Sequence, residues 1–207
     1  MVQAKRPEPR KLPRQERSRA LYDALLTASA ELLERDGPTF ALSDVAARAG
    51  VSPGSLYQYF PDRPALVAAL IDRQVALDRQ NLEAWTLRTT GCPVSDLPEE
   101  LVAGVLGLYG ARPALLSNLV RLLEETGRSG DVHAIVVQFC ATLAERLHQA
   151  RPEADPSACG DAAEAAVFGV LSIVRQAAQS SPEKLSTAAF RARLLAIART
   201  ALDSTVP

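Results

Sequence analysis

The chain has 207 residues, 47% of them apolar and 23% charged, a composition typical of a soluble globular protein. Its longest largely apolar stretch, residues 165–174, has ten residues. A membrane-spanning helix needs about 20, so we expect no transmembrane segment and no membrane partner. The three cysteines, Cys92, Cys140 and Cys159, are far apart and lack metal-ligand spacing, which predicts reduced thiols in a cytoplasmic protein. Burial as small apolar side chains is the simpler interpretation of these thiols, and a redox-sensing cysteine is the alternative.

The net charge of −1 conceals a basic N-terminus. Residues 1–13 contain three prolines and no apolar core, so we expect a disordered basic arm over residues 1–15 and no secretory signal. A basic arm on an otherwise acidic chain suggests a local contact with a polyanion, and a solubilising tail is the alternative. The basic residues here are Lys5, Arg6, Arg10, Lys11, Arg14, Arg17 and Arg19.

Hydrophobic periodicity predicts helices throughout the rest of the chain, without sustained strand-like alternation. Their ends are indicated by Gly37-Pro38 and Gly50 as terminators, Ser52 and Asp62 as caps, and Pro53 at a first helical position. We expect helices at about 17–36, 42–49, 53–60, 63–83, 97–110, 112–126, 131–150, 157–180 and 186–203.

The segment Leu42–Phe60 fits the packing template of a helix-turn-helix. Counting Leu42 as the first position, Ala46 is the fifth, where only a small side chain lets the two helices cross closely. Gly50 is the ninth, where the turn needs a positive φ. The fourth, tenth and fifteenth positions are the shared apolar core, and they hold Val45, Val51 and Leu56.

The third predicted helix has the small N-terminal residues and polar surface of a helix that enters a DNA major groove. Gln58 is expected to pair with an adenine edge, Tyr57 to pack on a thymine methyl, and Ser55 to reach a phosphate or a base. For Tyr59, a phosphate hydrogen bond and packing against flanking helices are equal alternatives. The predicted DNA-binding residues are Arg17, Arg19, Ser43, Ser52, Pro53, Gly54, Ser55, Tyr57, Gln58, Tyr59 and Arg63.

Over residues 17–70 the sequence closely resembles the tetracycline-repressor (TetR) family of bacterial regulators. The resemblance rests on Ala-Leu-Ser-Asp-Val-Ala-Ala-Arg-Ala-Gly-Val-Ser at 41–52 and Gly-Ser-Leu-Tyr-Gln-Tyr-Phe at 54–60. It implies an all-α fold of about nine helices: a three-helix DNA-binding domain at 16–61 and a larger ligand-binding and dimerisation domain at 62–207. It also implies a homodimer formed by the last two helices, and repression of a palindromic operator that a small molecule relieves.

Two positions depart from the family pattern. Ala41 stands where the family usually has a hydroxyl cap, so Ser43 is a candidate for an alternative polar contact. Pro64 replaces an acidic helix former and is tolerated only in the first turn of a helix.

The C-terminal two-thirds shows no family motif, but its last two helices are apolar on more than one side. Pairing with a second copy would cover both sides, and full burial within the domain is the alternative. The predicted dimer-interface residues are Val167, Val170, Leu171, Val174, Phe190, Leu194, Ile197 and Ala201. Candidate ligand-pocket residues, each also explicable as plain core, are Trp85, Leu106, Tyr109, Leu119, His133, Phe139 and Phe168.

Two rival interpretations remain. An enzyme is disfavoured because the sequence has no nucleophile-base order, no glycine-rich cofactor loop and no carboxylate-histidine metal set, so we expect no cofactor and no metal. The other rival is a DNA-binding regulator without a small-molecule ligand, whose C-terminal domain serves dimerisation or protein interaction.

Overall fold

A computed structural model describes residues 16–204, so the predicted arm at 1–15 lies outside the described residues. Within 16–204 the chain forms nine α-helices and no strand, which confirms the predicted all-α fold. The helices are α1 (Glu16–Asp36), α2 (Leu42–Arg48), α3 (Pro53–Tyr57), α4 (Arg63–Arg88), α5 (Leu97–Gly110), α6 (Pro113–Glu125), α7 (Ser129–Ala150), α8 (Pro156–Ser180) and α9 (Ala188–Asp203).

The helix ends follow the local signals of the sequence. Gly37 (φ 76°) and Gly50 (φ 69°) adopt the left-handed conformation directly after α1 and just after α2. Asp62 Oδ1 accepts a hydrogen bond from the Ala65 N–H at 2.8 Å and caps α4. Two extents differ from expectation: α3 ends at Tyr57 rather than Phe60, and α4 continues to Arg88.

The chain divides into two compact units, and the division differs from the predicted boundary after residue 61. The N-terminal unit comprises described residues 16–76 and 118–127, and the C-terminal unit comprises 77–117 and 128–204. The first half of α4 belongs to the N-terminal unit because residues 65–71 are all buried. The second half of α6 belongs there too, with buried side chains at Leu119, Leu122 and Leu123.

The N-terminal unit has an apolar core of aliphatic and aromatic side chains, and a polar contact lies at the end of α1. Leu25 and Leu33 of α1 are fully buried, as are Leu56 of α3 and Leu66 of α4. Asn118 of α6 donates its side-chain amide to the Leu33 carbonyl oxygen at 2.8 Å. The last four carbonyls of a helix have no partner inside it, so this amide satisfies one that α1 leaves open.

In the C-terminal unit α8 contacts α5, α7 and α9. By length and composition α8 could cross a membrane, but it buries nine side chains in the protein, among them Ala163, Val170 and Val174. A core helix surrounded by other helices has the same apolar composition, so these contacts account for its hydropathy.

Candidate DNA-binding surface

Helices α2 and α3 form the helix-turn-helix that the packing template predicts. Val45, Ala46 and Leu56 are buried to 1% exposure or less, and Val51 is half-buried. The Val51 N–H donates to the Ala46 carbonyl oxygen at 3.0 Å across the turn that Gly50 makes. These contacts fix the angle between the two helices and so determine which face of α3 is exposed.

The start of α3 is ordered by its own serines. Ser52 Oγ accepts a hydrogen bond from the Ser55 N–H at 3.2 Å, and the two hydroxyl oxygens are 2.9 Å apart. Pro53 occupies the first turn, where its missing N–H costs nothing. Ser52 is therefore a helix cap, and the Ser55 hydroxyl is already hydrogen-bonded within the chain.

The outer face of α3 and of the turn that follows is exposed. Pro53, Gly54 and Gln58 are exposed, and Tyr57 has 47% of its surface exposed, which is unusual for an aromatic side chain. Residues 49–61 contain no charged side chain. This face can therefore make base-edge and methyl contacts, but it has no cation for phosphates.

Three further predicted contacts lie on α1 and α2. Ser43 is exposed near the start of α2, and Arg17 and Arg19 are exposed near the start of α1.

Tyr59 is placed differently from the other candidates, because its ring is only 5% exposed. Its centroid lies 6.0 Å from that of Tyr22, whose ring also packs at 5.1 Å from Phe60. Burial, followed by the nearby Asp72 and Asp23 carboxylates, raises the pKa of the Tyr22 phenol. Of the two alternatives for Tyr59, the structure shows packing. The ring lies in the core of the N-terminal unit and supports the residues that follow α3.

Arg63 is also used inside the domain. Its guanidinium donates to the Pro38 carbonyl oxygen and lies 5.3 Å from the centre of the Phe40 ring. These contacts tie the first turn of α4 to the segment between α1 and α2, and the contact of Arg63 with the DNA backbone stays a prediction. The sequence alone does not show whether a basic residue at the start of a helix binds a DNA phosphate or a carbonyl oxygen of the protein.

The two departures from the family pattern are accommodated locally. Asp44 Oδ2 accepts a hydrogen bond from the Ala41 N–H at 3.1 Å, which supplies half of a capping box without a hydroxyl at the cap. Asp44 takes the role predicted for Ser43, and an acidic residue three positions after the cap is a readable signal for it. Pro64 lies in the first turn of α4, where the absence of its N–H is harmless.

The predicted pocket residues do not share one environment. Trp85, Tyr109 and Leu119 are buried, Leu106 and Phe139 are half-buried, and His133 and Phe168 are exposed. The Trp85 and Phe139 rings pack edge-to-face with centroids 4.6 Å apart, as in an ordinary core. Leu119 belongs to the N-terminal unit and the other six to the C-terminal unit.

An open cleft of about 160 Å³ lies in the C-terminal unit, among residues that the sequence analysis did not assign to a ligand pocket. It shares no member with the predicted pocket, and its lining residues are Thr89, Gly91, Cys92, Val94, Leu97, Arg146, Gln149 and Ala150. Within residues 16–204 no group of three or more His, Cys, Asp or Glu side chains is placed to hold a metal ion.

Most of the predicted dimer-interface residues are covered by the chain's own helices. Five of the eight are buried within a single chain and so are not on its surface: Val167, Val170, Val174, Phe190 and Leu194. Leu171, Ile197 and Ala201 are half-buried and remain available for a contact with a second copy. Phe168 is a large apolar side chain of α8 that is 38% exposed. The sequence analysis places it in the ligand pocket and not in the dimer interface.

Comparison with known proteins identifies this fold. Residues 25–70 match the sequence profile described as bacterial regulatory proteins of the tetR family. No curated protein matches the chain significantly.

Among solved structures, a protein of Mesorhizobium loti MAFF303099 described as a TetR-family transcriptional regulator has a TM-score of 0.62 at 14% identity, covering 93% of this chain and 98% of its own. GusR of Salmonella enterica has a TM-score of 0.62 at 19% identity, covering 89% and 96%. SmeT, the repressor of the Stenotrophomonas maltophilia multidrug efflux pump SmeDEF, has a TM-score of 0.59 at 22% identity, covering 92% and 91%.

The helix-turn-helix and the profile match over residues 25–70 are those of a DNA-binding transcriptional regulator. This region is similar to the TetR family of bacterial regulatory proteins, and the chain has the fold of a TetR-family structure, which confirms the resemblance inferred from the sequence.

Proposed function

We propose that this protein is a cytoplasmic homodimeric repressor that binds a palindromic operator and leaves it when a small molecule binds its C-terminal domain. The observation that carries the DNA-binding half is the capped, uncharged α3 with the residue that follows it, since Gly54, Tyr57 and Gln58 are all exposed there. A side-chain amide such as that of Gln58 can pair with both groups of an adenine edge in the major groove.

Dimerisation is required by the size of this surface. One helix of five residues reads only a few base pairs, whereas two related by a dyad read successive major grooves about 34–36 Å apart. The surface that we assign to the dimer lies on α8 and α9, where Phe168 is exposed and Leu171 and Ile197 are half-buried. Covering Phe168 with a second copy would remove an exposed aromatic side chain from water.

Two parts of this proposal are implied by the family resemblance: that the protein represses transcription, and that a small molecule binds it. One observation favours the alternative of a DNA-binding regulator without a small-molecule ligand. The cleft of about 160 Å³ is smaller than the ~300–1,000 Å³ of ordinary small-molecule sites and shares no residue with the predicted pocket. Release of bound operator DNA by the small-molecule fraction of a cell extract would support the ligand-gated form, and its absence across growth conditions would favour the alternative.

The test of the proposed function is binding to the DNA immediately upstream of the protein's own gene. We expect salt-sensitive binding at one palindrome, lost when either half-site is scrambled. Gln58→Ala should reduce discrimination at one base position of each half-site by about 1–3 kcal/mol. Equal binding to unrelated DNA of the same length would contradict sequence-specific regulation.

A further inference from the structure

The open cleft of the C-terminal unit lies between the ends of α4 and α7 and the start of α5. Its volume of about 160 Å³ has room for a molecule of a few non-hydrogen atoms, since one water takes about 30 Å³ in the liquid. Arg146 and Gln149 of α7 line it, together with Gly91 and Cys92 of the segment after α4. The residues that line the cleft include one cation, Arg146, and no carboxylate.

Arg146 is held in place by the end of α4. Its Nη2 donates to the Thr90 hydroxyl oxygen at 2.9 Å and to the Thr86 carbonyl oxygen at 3.4 Å. The Thr90 hydroxyl in turn donates to the same Thr86 carbonyl at 2.9 Å. The N–H groups on Nε and Nη1 of Arg146 have no acceptor among residues 16–204. A guanidinium that the protein already orients can donate charge-assisted hydrogen bonds to an anion at little cost in ordering.

The other lining residues fit an anion that also has a short hydrocarbon part. The Gln149 side-chain nitrogen donates to Glu145 Oε1 at 3.2 Å and has a second N–H to offer. Val94, Leu97 and Ala150 add apolar surface to the same cleft. A few donors beside apolar walls are typical of small-molecule sites, where the donors fix the orientation of the ligand.

Two carboxylates lie near Cys92. Burial, followed by the charges of Asp96 and Glu100, raises the pKa of the Cys92 thiol. Glu100 pairs with Arg88 at 3.0 Å, and Asp96 accepts a hydrogen bond from the Ser95 hydroxyl at 3.0 Å. Neither carboxylate lines the cleft, so Arg146 determines the sign of the charge that a ligand contacts there.

We propose that this cleft binds a small organic carboxylate, whose oxygen atoms accept hydrogen bonds from Arg146 and Gln149. The apolar residues Val94, Leu97 and Ala150 contact its hydrocarbon part. The cleft is too small for a drug-sized ligand, and a short carboxylate fits it. This site shares no residue with the predicted ligand pocket, and the proposal does not rest on the proposed DNA-binding function.

The experiment measures the rate at which iodoacetamide alkylates Cys92 in the full chain, by mass spectrometry of the peptide that contains it. Cys92 is half-buried, whereas Cys140 and Cys159 are buried. The probes are propionate and benzoate, with propionamide and benzamide as uncharged counterparts of similar shape, at constant ionic strength. We expect saturable protection by the carboxylates with a Kd of about 1 mM or lower, and none by the amides. Ligand-observed NMR of propionate and benzoate measures the same affinities without using the thiol.

Three variants locate the binding. Arg146→Gln should weaken carboxylate binding by about 10- to 100-fold, because it removes the charge-assisted hydrogen bonds. Ala150→Leu keeps Arg146 and its contacts but places a larger side chain in the cleft, so it should weaken binding as well. Arg191→Gln is the matched control, since it removes the same charge from an exposed residue of α9 and should leave the affinity unchanged. Circular dichroism shows whether each variant is folded.

Several results would overturn this proposal. They are binding of neither carboxylate, equal protection by carboxylates and amides, and unchanged affinity in folded Arg146→Gln. Protection by inorganic phosphate without protection by either carboxylate would also overturn it, because the cleft would then accept a different class of anion. None of these results affects the proposed repressor function, since the assay contains no DNA.

Discussion

Replacing Gly54 with alanine should have opposite effects on folding and on DNA binding. Gly54 lies in α3, is exposed, and does not have a positive φ. A Cβ built there has one neighbour within 4 Å, Ser52 Oγ at 3.9 Å, which is an ordinary van der Waals contact. Alanine is favoured over glycine by about 0.5–1 kcal/mol in a helix, so the folded protein has no internal reason for glycine here.

Under the proposed function, the absence of a side chain at Gly54 serves the approach of α3 to DNA. A methyl group forced into a tightly packed interface costs about 1–3 kcal/mol, which corresponds to a roughly 5- to 150-fold loss of affinity. For a chain of this length, a stability gain of about 0.5–1 kcal/mol raises Tm by about 1–4 °C. We therefore expect Gly54→Ala to melt at a higher temperature and to bind the upstream DNA more weakly.

Thermal unfolding by circular dichroism and fluorescence anisotropy with labelled upstream DNA measure the two effects. Gly107→Ala on α5 is the matched control, since it is an exposed helical glycine whose added Cβ would meet nothing within 4 Å. It should raise Tm by a similar amount and leave the affinity unchanged. If Gly54→Ala binds DNA with unchanged affinity, glycine is not needed for the close approach of α3 to DNA. If the variant has a lower Tm, the folded protein does not have room for a Cβ at this position.

Three further predictions concern contacts and backbone geometry within each of the two units. Gly50→Ala should destabilise the protein by about 1–2 kcal/mol in denaturant unfolding, because Gly50 has φ 69° and alanine is strained there; a stable variant would contradict the turn geometry. Asn118→Ala should cost about 0.5–1.5 kcal/mol by removing its hydrogen bond to the Leu33 carbonyl, with the exposed Asn81→Ala as a control expected to change little. Burial, followed by the nearby Glu164, raises the pKa of the Cys140 thiol to about 11, so native protein should resist alkylation of this cysteine at pH 8. The unfolded thiol loses its proton near pH 9 and the folded one near 11; stability should therefore fall with rising pH in that window, and Cys140→Ala should remove this part of the slope.

The helix-turn-helix could be predicted residue by residue because its determinants are local. Ala46, Gly50, Ser52 and Asp62 act on neighbours within a few positions, and the structure gives each the predicted role. Helix starts and ends were readable for the same reason, since caps and left-handed glycines are properties of short segments.

Features that depend on distant neighbours could not be predicted. The stripe through Val167, Val170 and Val174 was correctly apolar, but periodicity does not tell whether the chain's own helices or a second chain will cover it. The internal partners of Arg63 and Tyr59 could not be read from the sequence, because Pro38 and Tyr22 are more than 20 residues away from them. The membership of residues 118–127 in the N-terminal unit had no sequence signal at all.

That membership has a consequence for how the protein is made. The ribosome releases residues 16–76 well before residues 118–127, whose Leu119, Leu122 and Leu123 complete the core of the same unit. During synthesis the nascent helix-turn-helix therefore lacks part of its hydrophobic cover until some fifty further residues have emerged. A gene fragment that stops after residue 76 encodes every exposed side chain of α3 but leaves part of the core of this unit open to water and to aggregation.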